Sequence, residues 1–239
     1  MSETPYSSEF FQFLSSGKDE YKAVLRPVMV TVKPTSVVDL GTGSGTWLAA
    51  AKDMGASRVL GLDGQWAATE HQLIISDEFQ VVDFETGFPD VGRFDLAICL
   101  EVLEHITPQA GEQAVRWLCE RTNVVLFSAA IPGQGGTHHI NEVWQSNWAH
   151  KFRVHGFHAY DIVRPTIWRN SDIPWWYRQN TIVYSRPETA QSYGWVEADI
   201  DALDVVHPER FDMAIDTIAR LRRRSVKGRL RALMGRKPR

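Results

Sequence analysis

Cysteine is scarce in this chain. Only Cys99 and Cys119 occur in 239 residues, both inside apolar segments and neither in a Cys-x-x-Cys pair. That excludes a disulfide framework and a cysteine-based zinc site, and it points to a reducing, cytoplasmic setting. No apolar run reaches the roughly 18 residues of a membrane-spanning helix. Met1 to Ser16 holds no basic residue, so no secretory signal is expected there. Internal repeats and low-complexity linkers are missing as well. Acidic residues are absent from Ala219 to Arg239, a stretch that carries ten of the 26 Lys and Arg. The formal net charge of −3 therefore joins an acidic body to a basic tail. A uniformly basic nucleic-acid binder is excluded.

Hydrophobic residues make up 44% and charged residues 23%, values of an ordinary globular chain with a sizeable core. The length fits one large α/β domain or two small ones. Short β-branched runs alternate with helical patterns. Strands are expected at Ser36–Leu40, Arg58–Asp63, Phe79–Asp83, Phe94–Leu100 and Asn123–Ser128. Helices are expected at Thr46–Met54, Gln65–Leu73 and Pro108–Glu120. Continuous apolar strands separated by helices imply a parallel sheet covered on both faces. After Ser128 the pattern changes to a Gly/Pro-rich loop, a helix over Asn141–His155, and two late strands, His158–Pro165 and Thr181–Ser185. A long loop with Ile173-Pro174-Trp175-Trp176 separates those strands, which suit an antiparallel pair at one sheet edge. The expected organisation is a flanking segment or lid at 1–30, a catalytic domain at 31–185, and a C-terminal extension at 186–239.

The strongest local feature is Val37-Val38-Asp39-Leu40-Gly41-Thr42-Gly43-Ser44-Gly45-Thr46-Trp47. A buried strand runs through a glycine loop into a helix N-terminus, where backbone can approach a ligand closely. A dinucleotide prefers Gly-x-Gly-x-x-Gly, with its pyrophosphate at the helix end. Here the spacing is Gly-x-Gly-x-Gly, and Asp39 is poorly suited to an anionic pyrophosphate. It suits a cationic amino-acid group, which favours S-adenosylmethionine: a sulfonium, an ammonium and a ribose, with no phosphate. Downstream acids agree. Asp63 ends the second strand, where a carboxylate can accept ribose hydroxyls. Asp83-Phe84 ends the third and can meet an adenine, and Glu101 follows the fourth. All stand at the carboxyl ends of parallel strands, where open α/β sheets bind ligands.

Three segments together resemble the class I S-adenosylmethionine-dependent methyltransferases: Val37–Trp47, Val59–Asp63, and Phe94–Ile106 (Phe-Asp-Leu-Ala-Ile-Cys-Leu-Glu-Val-Leu-Glu-His-Ile). The resemblance spans roughly Leu25 to Ser185. It implies a Rossmann-like, seven-stranded, mostly parallel sheet with an antiparallel last strand, and a cofactor held by Asp39, Gly41, Thr42, Gly43, Gly45, Thr46, Trp47, Asp63, Asp83, Phe84 and Glu101.

Acceptor-side groups must come from the later loops. Gly133 to Trp144 resembles a Gly-His-Ile/Val-Asn-Glu-Gln-Trp pattern of a bacterial subgroup associated with sugar and natural-product methylation. His138 stands where that pattern has Gly, and Val143 where it has Gln. His139 is the candidate base, since a neutral imidazole accepts a proton near pH 7. His105 is the second catalytic candidate. Asn141, Glu142, Trp175, Trp176 and Tyr177 are acceptor-binding candidates, and Tyr6, Phe10 and Phe11 candidates for an N-terminal lid. His138, His139 and Glu142 could ligate a metal, but the usual spacing with several acids is missing and no metal is assigned.

The expected activity is O-methylation of a sugar hydroxyl on a glycan or glycosylated metabolite. The alternatives are N- or O-methylation of another small molecule, RNA methylation guided by the basic tail, and a non-catalytic cofactor sensor. The RNA reading lacks an Asn/Asp-Pro-Pro-Tyr/Phe motif after the fourth strand. Ile218, Leu221, Val226, Leu230, Leu233 and Met234 form a rough apolar stripe among the tail's basic residues, so Ala219–Arg239 is also a candidate for contact with an anionic membrane surface. The sequence does not set an oligomeric state.

Overall fold

The computed structural model describes residues 18–68 and 72–234, with side chains as far as Arg223. Two compact units divide between Val205 and Val206.

The first unit is built on strands β1 (Ser36–Leu40), β2 (Arg58–Asp63), β3 (Phe79–Val81), β4 (Leu96–Leu100), β5 (Val124–Ser128), β6 (His158–Tyr160) and β7 (Ile182–Ser185). They form one sheet in the order β3-β2-β1-β4-β5-β7-β6. β1 to β5 pair in parallel, and β7 runs antiparallel to both β5 and β6. Neighbouring residues of each central strand enter opposite cores. Val38, Leu40, Ala97 and Val125 join one hydrophobic cluster, while Val37, Ile98 and Val124 join the other. That double burial is why these strands read as continuous apolar runs.

One face is covered by α1 (Lys18–Val32) and α2 (Thr46–Asp53), the other by α3 (Pro108–Arg121) and α4 (Gln145–Val154). α3 starts where expected because Thr107 caps it, its hydroxyl accepting from the Ala110 amide at 3.3 Å, with Pro108 in the first turn. Three short helices complete the unit: α5 (Arg164–Ile167), α6 (Trp175–Asn180) and α7 (Pro187–Ser192). The second unit consists chiefly of α8 (Pro208–Met234). Among the described residues no helix is long and apolar enough to cross a membrane.

Several local expectations change. The helix expected over Gln65–Leu73 is one 3-10 turn at Gln65–Ala67, and 69–71 lie outside the described residues. The side chain of Gln72 takes the Ala67 carbonyl instead of continuing a helix. α4 begins at Gln145 rather than Asn141, because Asn141 donates to the Leu103 carbonyl. The sixth strand stops at Tyr160, and Pro165 enters α5. Trp175 and Trp176 open α6 behind Pro174 instead of lying in a loop. Residues 18–30 and 186–205, expected as flanks, belong to the first unit.

Phe152 in α4 is fully buried, stacked on Tyr184 of β7 with ring centroids 4.0 Å apart and edge-on to Phe127 of β5 at 5.3 Å. Phe152→Ala is expected to cost about 3–5 kcal/mol. Urea unfolding should show this as a lower midpoint at unchanged slope.

Candidate functional site

The strand β1 leads into a loop with three left-handed glycines. Gly41, Gly43 and Gly45 have φ of 81°, 53° and 76°, in the left-handed region where a side chain is strained. Space is short too: a Cβ on Gly41 would fall 2.3 Å from Cγ2 of Val102. The amides of Gly41 and Thr42 donate to the Leu62 carbonyl at 2.8 and 3.2 Å, tying the loop to β2.

Two carboxyl groups lie beneath this loop. Asp39 is 1% exposed, and neither of its oxygens has a partner at hydrogen-bonding geometry. Burial pushes its pKa up to about 8, with the Asp63 charge adding to the shift. Asp63 is also buried. Its Oδ2 accepts from the Gly43 amide and its Oδ1 from the Gly64 amide, each at 2.7 Å. These bonds only partly offset burial, which raises its pKa to about 7. Gln72 crosses the loop, donating to the carbonyls of Gly43 and Ala67, and the Leu73 amide donates to Ser44 at 2.9 Å.

A second cluster follows β4. Glu101 has φ of 55°, an uncommon backbone state for a residue with a side chain. Its Oε1 accepts from Asn180 Nδ2 at 3.0 Å and its Oε2 from Gln134 Nε2 at 2.9 Å. Because β7 is reversed, Asn180 just before it lands at the carboxyl ends of the parallel strands. Glu104 is fully buried with both oxygens unpartnered. Burial and the neighbouring Glu101 charge hold its carboxyl well above the usual range; burial raises Glu101 as well.

The loop after β5 closes over this cluster. The Glu104 carbonyl accepts from the amides of Ile140 and Asn141 at 2.8 and 3.1 Å. The Glu142 carboxylate accepts from the amides of Gly133 and Gly135 at 2.7 and 2.8 Å, and pairs with Nδ1 of His139 at 2.9 Å. These bonds outweigh burial and keep Glu142 below its ordinary pKa. His139 meets His105 edge-on, centroids 4.8 Å apart. Burial and His139 lower the His105 pKa to about 4, so its ring is neutral at pH 7. Donor atoms of Glu104, His105 and His139 lie within 4.8 Å of one another.

The structure thus gathers Asp39, Asp63 and the glycine loop in one place, and His105, His139 and Glu142 in another. Thr46 pairs its hydroxyl with that of Ser44 at 2.8 Å. Trp47 is buried edge-on between Tyr21 and Tyr177, at 4.6 and 5.2 Å. Asp83 is exposed and accepts from the Glu85 amide, while Phe84 turns into the core and stacks near Phe88 at 5.7 Å. Asn141 is buried with its amide engaged by Leu103. Trp175 and Trp176 are half-buried and edge-on to each other at 5.7 Å. The lid residues Tyr6, Phe10 and Phe11 lie outside the described residues. His138 has φ of 58°, in the left-handed region that glycine adopts most readily. Sequence reasoning gave no role to Gln72, Glu104, Gln134 or Asn180. Only Glu104 carried a signal, its place in Glu-x-x-Glu-His.

Residues 10–166 match the profile of a family described as "Methyltransferase domain". No curated protein matches the chain. Among solved structures, a putative O-methyltransferase from Nostoc punctiforme is similar over 74% of this chain and 59% of its own, at 15% identity and a TM-score of 0.54. Human N-acetylserotonin methyltransferase, solved in complex with SAM, is similar over 74% and 55%, at 14% identity and 0.50. The mitomycin 7-O-methyltransferase MmcR is similar over 77% and 58%, at 15% and 0.52. The chain spans little more than half the length of these proteins. At such identities the likeness shows the fold, a Rossmann-like methyltransferase sheet.

Asp39 ionises readily in an unfolded chain but only near pH 8 in the folded one. Its contribution to stability is thus present below pH 4 and lost as pH rises through 8. Asp39→Asn is expected to raise the melting temperature of the ligand-free protein at pH 8 by at least about 2–4 °C, the shift of one kcal/mol in a domain of this size. An unchanged or lower melting temperature would count against the buried, unpartnered carboxyl.

Proposed function

The chain belongs to the methyltransferase-domain family, and from that premise we propose that it moves a methyl group from S-adenosylmethionine to an oxygen of a small-molecule acceptor, a sugar hydroxyl on a glycan or glycosylated metabolite. The observation that carries this reading is the buried carboxyl of Asp39, without a partner at full hydrogen-bonding geometry, beneath a glycine loop in which Gly41 and Gly45 have no room for a Cβ. A buried acid without a partner fits a ligand that brings an ammonium and no phosphate. The residues present therefore fit the cofactor. When bound, S-adenosylmethionine supplies a methyl group on a positively charged sulfur.

This chain's own groups would do the rest. Asp39 meets the ammonium. Asp63, already anchored by two backbone amides, keeps lone pairs for ribose hydroxyls. Glu101, fixed by Asn180 and Gln134, adds negative charge on the cofactor side. Removal of the acceptor's proton falls to the two imidazoles. Glu142 engages Nδ1 of His139 and so directs Nε2 as the free nitrogen. The half-buried indoles of Trp175 and Trp176 offer faces on which a sugar can stack. The basic segment 219–239 would hold the protein at an anionic membrane surface.

A screen with labelled cofactor should transfer label to hydroxyl acceptors, glycans and lipid-linked sugars among them. Asp63→Ala should weaken cofactor binding in calorimetry at least about tenfold, the effect of one lost charge-assisted hydrogen bond. His139→Ala should lower kcat/KM by about 10²–10⁴ at unchanged cofactor affinity. Unaltered affinity in Asp63→Ala would remove the cofactor assignment. Removing 219–239 should spare cofactor binding and reduce co-sedimentation with phosphatidylserine vesicles; equal sedimentation would refute the membrane contact.

A further inference from the structure

The Glu104 side chain has no role in the reading so far. It is fully buried, and neither carboxylate oxygen reaches full hydrogen-bonding geometry; the amides of Glu104 and Ala130 and the Glu101 carboxyl act on it only from outside that geometry. A group in that state is costly unless something meets it. What stands nearest in kind is a pair of imidazoles: one donor atom from each of Glu104, His105 and His139 lies within 4.8 Å of the others. Metal–ligand bonds of about 2.0–2.2 Å put neighbouring donors about 3–4 Å apart, so a closure of about 1 Å would complete a shell.

We propose that Glu104, His105 and His139 bind a divalent transition-metal cation that holds the acceptor's oxygen. The proposal rests on the assignment of proton removal to the two imidazoles and changes how they do it: Nε2 of His139 carries the cation rather than the proton. Two neutral imidazoles and one carboxylate suit Zn²⁺, Co²⁺, Fe²⁺ or Mn²⁺ better than Mg²⁺ or Ca²⁺, which prefer oxygen throughout. Three protein ligands leave positions open for a hydroxyl oxygen. That oxygen bonds the cation, its O–H bond breaks with the electron pair staying on oxygen, and the proton passes to solvent water. An acceptor with two adjacent oxygens, such as a vicinal diol of a sugar, can fill two open positions at once.

The surroundings are those of a ligating histidine. His139 is anchored through Nδ1 by Glu142, and that carboxylate is itself held by the amides of Gly133 and Gly135. This is the support that fixes the tautomer and aim of a metal-bound imidazole. The opposite side of the ring is equally confined. A Cβ on Gly136 would lie 2.2 Å from Nε2 of His139, so the ring keeps this position only with glycine beside it. Glu104 is in turn tied to the same loop through its carbonyl, which accepts from Ile140 and Asn141. The trio considered from sequence, His138, His139 and Glu142, is not the one assembled. Glu142 serves as the positioning residue behind His139.

The test uses the full chain, stripped with EDTA and titrated with Co²⁺ alone. The expected result is one equivalent bound, with visible absorption of a low-symmetry cobalt site. Glu104→Gln and His105→Ala should each weaken binding at least tenfold. Glu142→Gln should weaken it about 10–100-fold while leaving every ligand atom in place, and Gly136→Ala should weaken it by displacing the ring. S-adenosylhomocysteine affinity, measured on the same samples, reports the fold and the cofactor site independently. No saturable Co²⁺ binding by a wild-type chain that still binds S-adenosylhomocysteine overturns the metal proposal and leaves the methyltransferase reading standing. Co²⁺ binding unchanged by Glu104→Gln and His105→Ala overturns it as well. Cobalt binding without S-adenosylhomocysteine binding would sustain the metal site and sink the cofactor assignment.

Discussion

Four carboxyl side chains, Asp39, Asp63, Glu101 and Glu104, meet at the carboxyl ends of the parallel strands, and among the described residues none forms an ion pair with Lys or Arg. Burying acids this way works against folding unless the charge is suppressed or met. The protein deals with each differently. Backbone amides take up Asp63, and side-chain amides of Asn180 and Gln134 take up Glu101; Asp39, beside the Thr42 hydroxyl, and Glu104, beside its own and the Ala130 amides, have no partner at full hydrogen-bonding geometry. Burial raises the pKa of both of these acids, so the folded chain carries them with their charge suppressed.

The scaffold can carry this cost because the sheet is buried on both faces and its strands are short and apolar. The left-handed glycines and the strained Glu101 sit at strand ends rather than within strands. Glu101 is held by the amides of Asn180 and Gln134 and by Ser128, and Gly41 leaves no space beside Val102 for a Cβ. Strain placed on a rigid frame keeps the site open to a ligand instead of letting it collapse onto itself.

Much of this was legible in the sequence, for physical reasons that can be named. Strands buried on both faces betray themselves as unbroken apolar runs, so β1, β2 and β5 were placed within a residue. The glycine loop announced its own geometry, and Asp39 and Asp63 followed from the strands they end. The parts that stayed hidden depend on contacts between distant residues. Gln72 ends a would-be helix by bonding Ala67 and Gly43. Asn180 lies 79 residues from Glu101, and no local pattern links them. Glu104 stands in the Glu-x-x-Glu-His segment without a role of its own there; its burial beside two imidazoles depends on the loop after β5. His138 reads as a departure from a pattern, and its backbone is in the left-handed region that favours glycine.

The reversed strand β7 has a consequence in time as well as in space. It lies between β5 and β6 although it follows both in the chain, so the sheet cannot close until its last strand slots into the gap. Asn180, which steadies Glu101, arrives on that same strand's leading edge. During synthesis the glycine loop therefore emerges long before β6 and β7, which complete the sheet. A polypeptide still short of Ser185 cannot yet assemble the whole site, however much cofactor surrounds the ribosome.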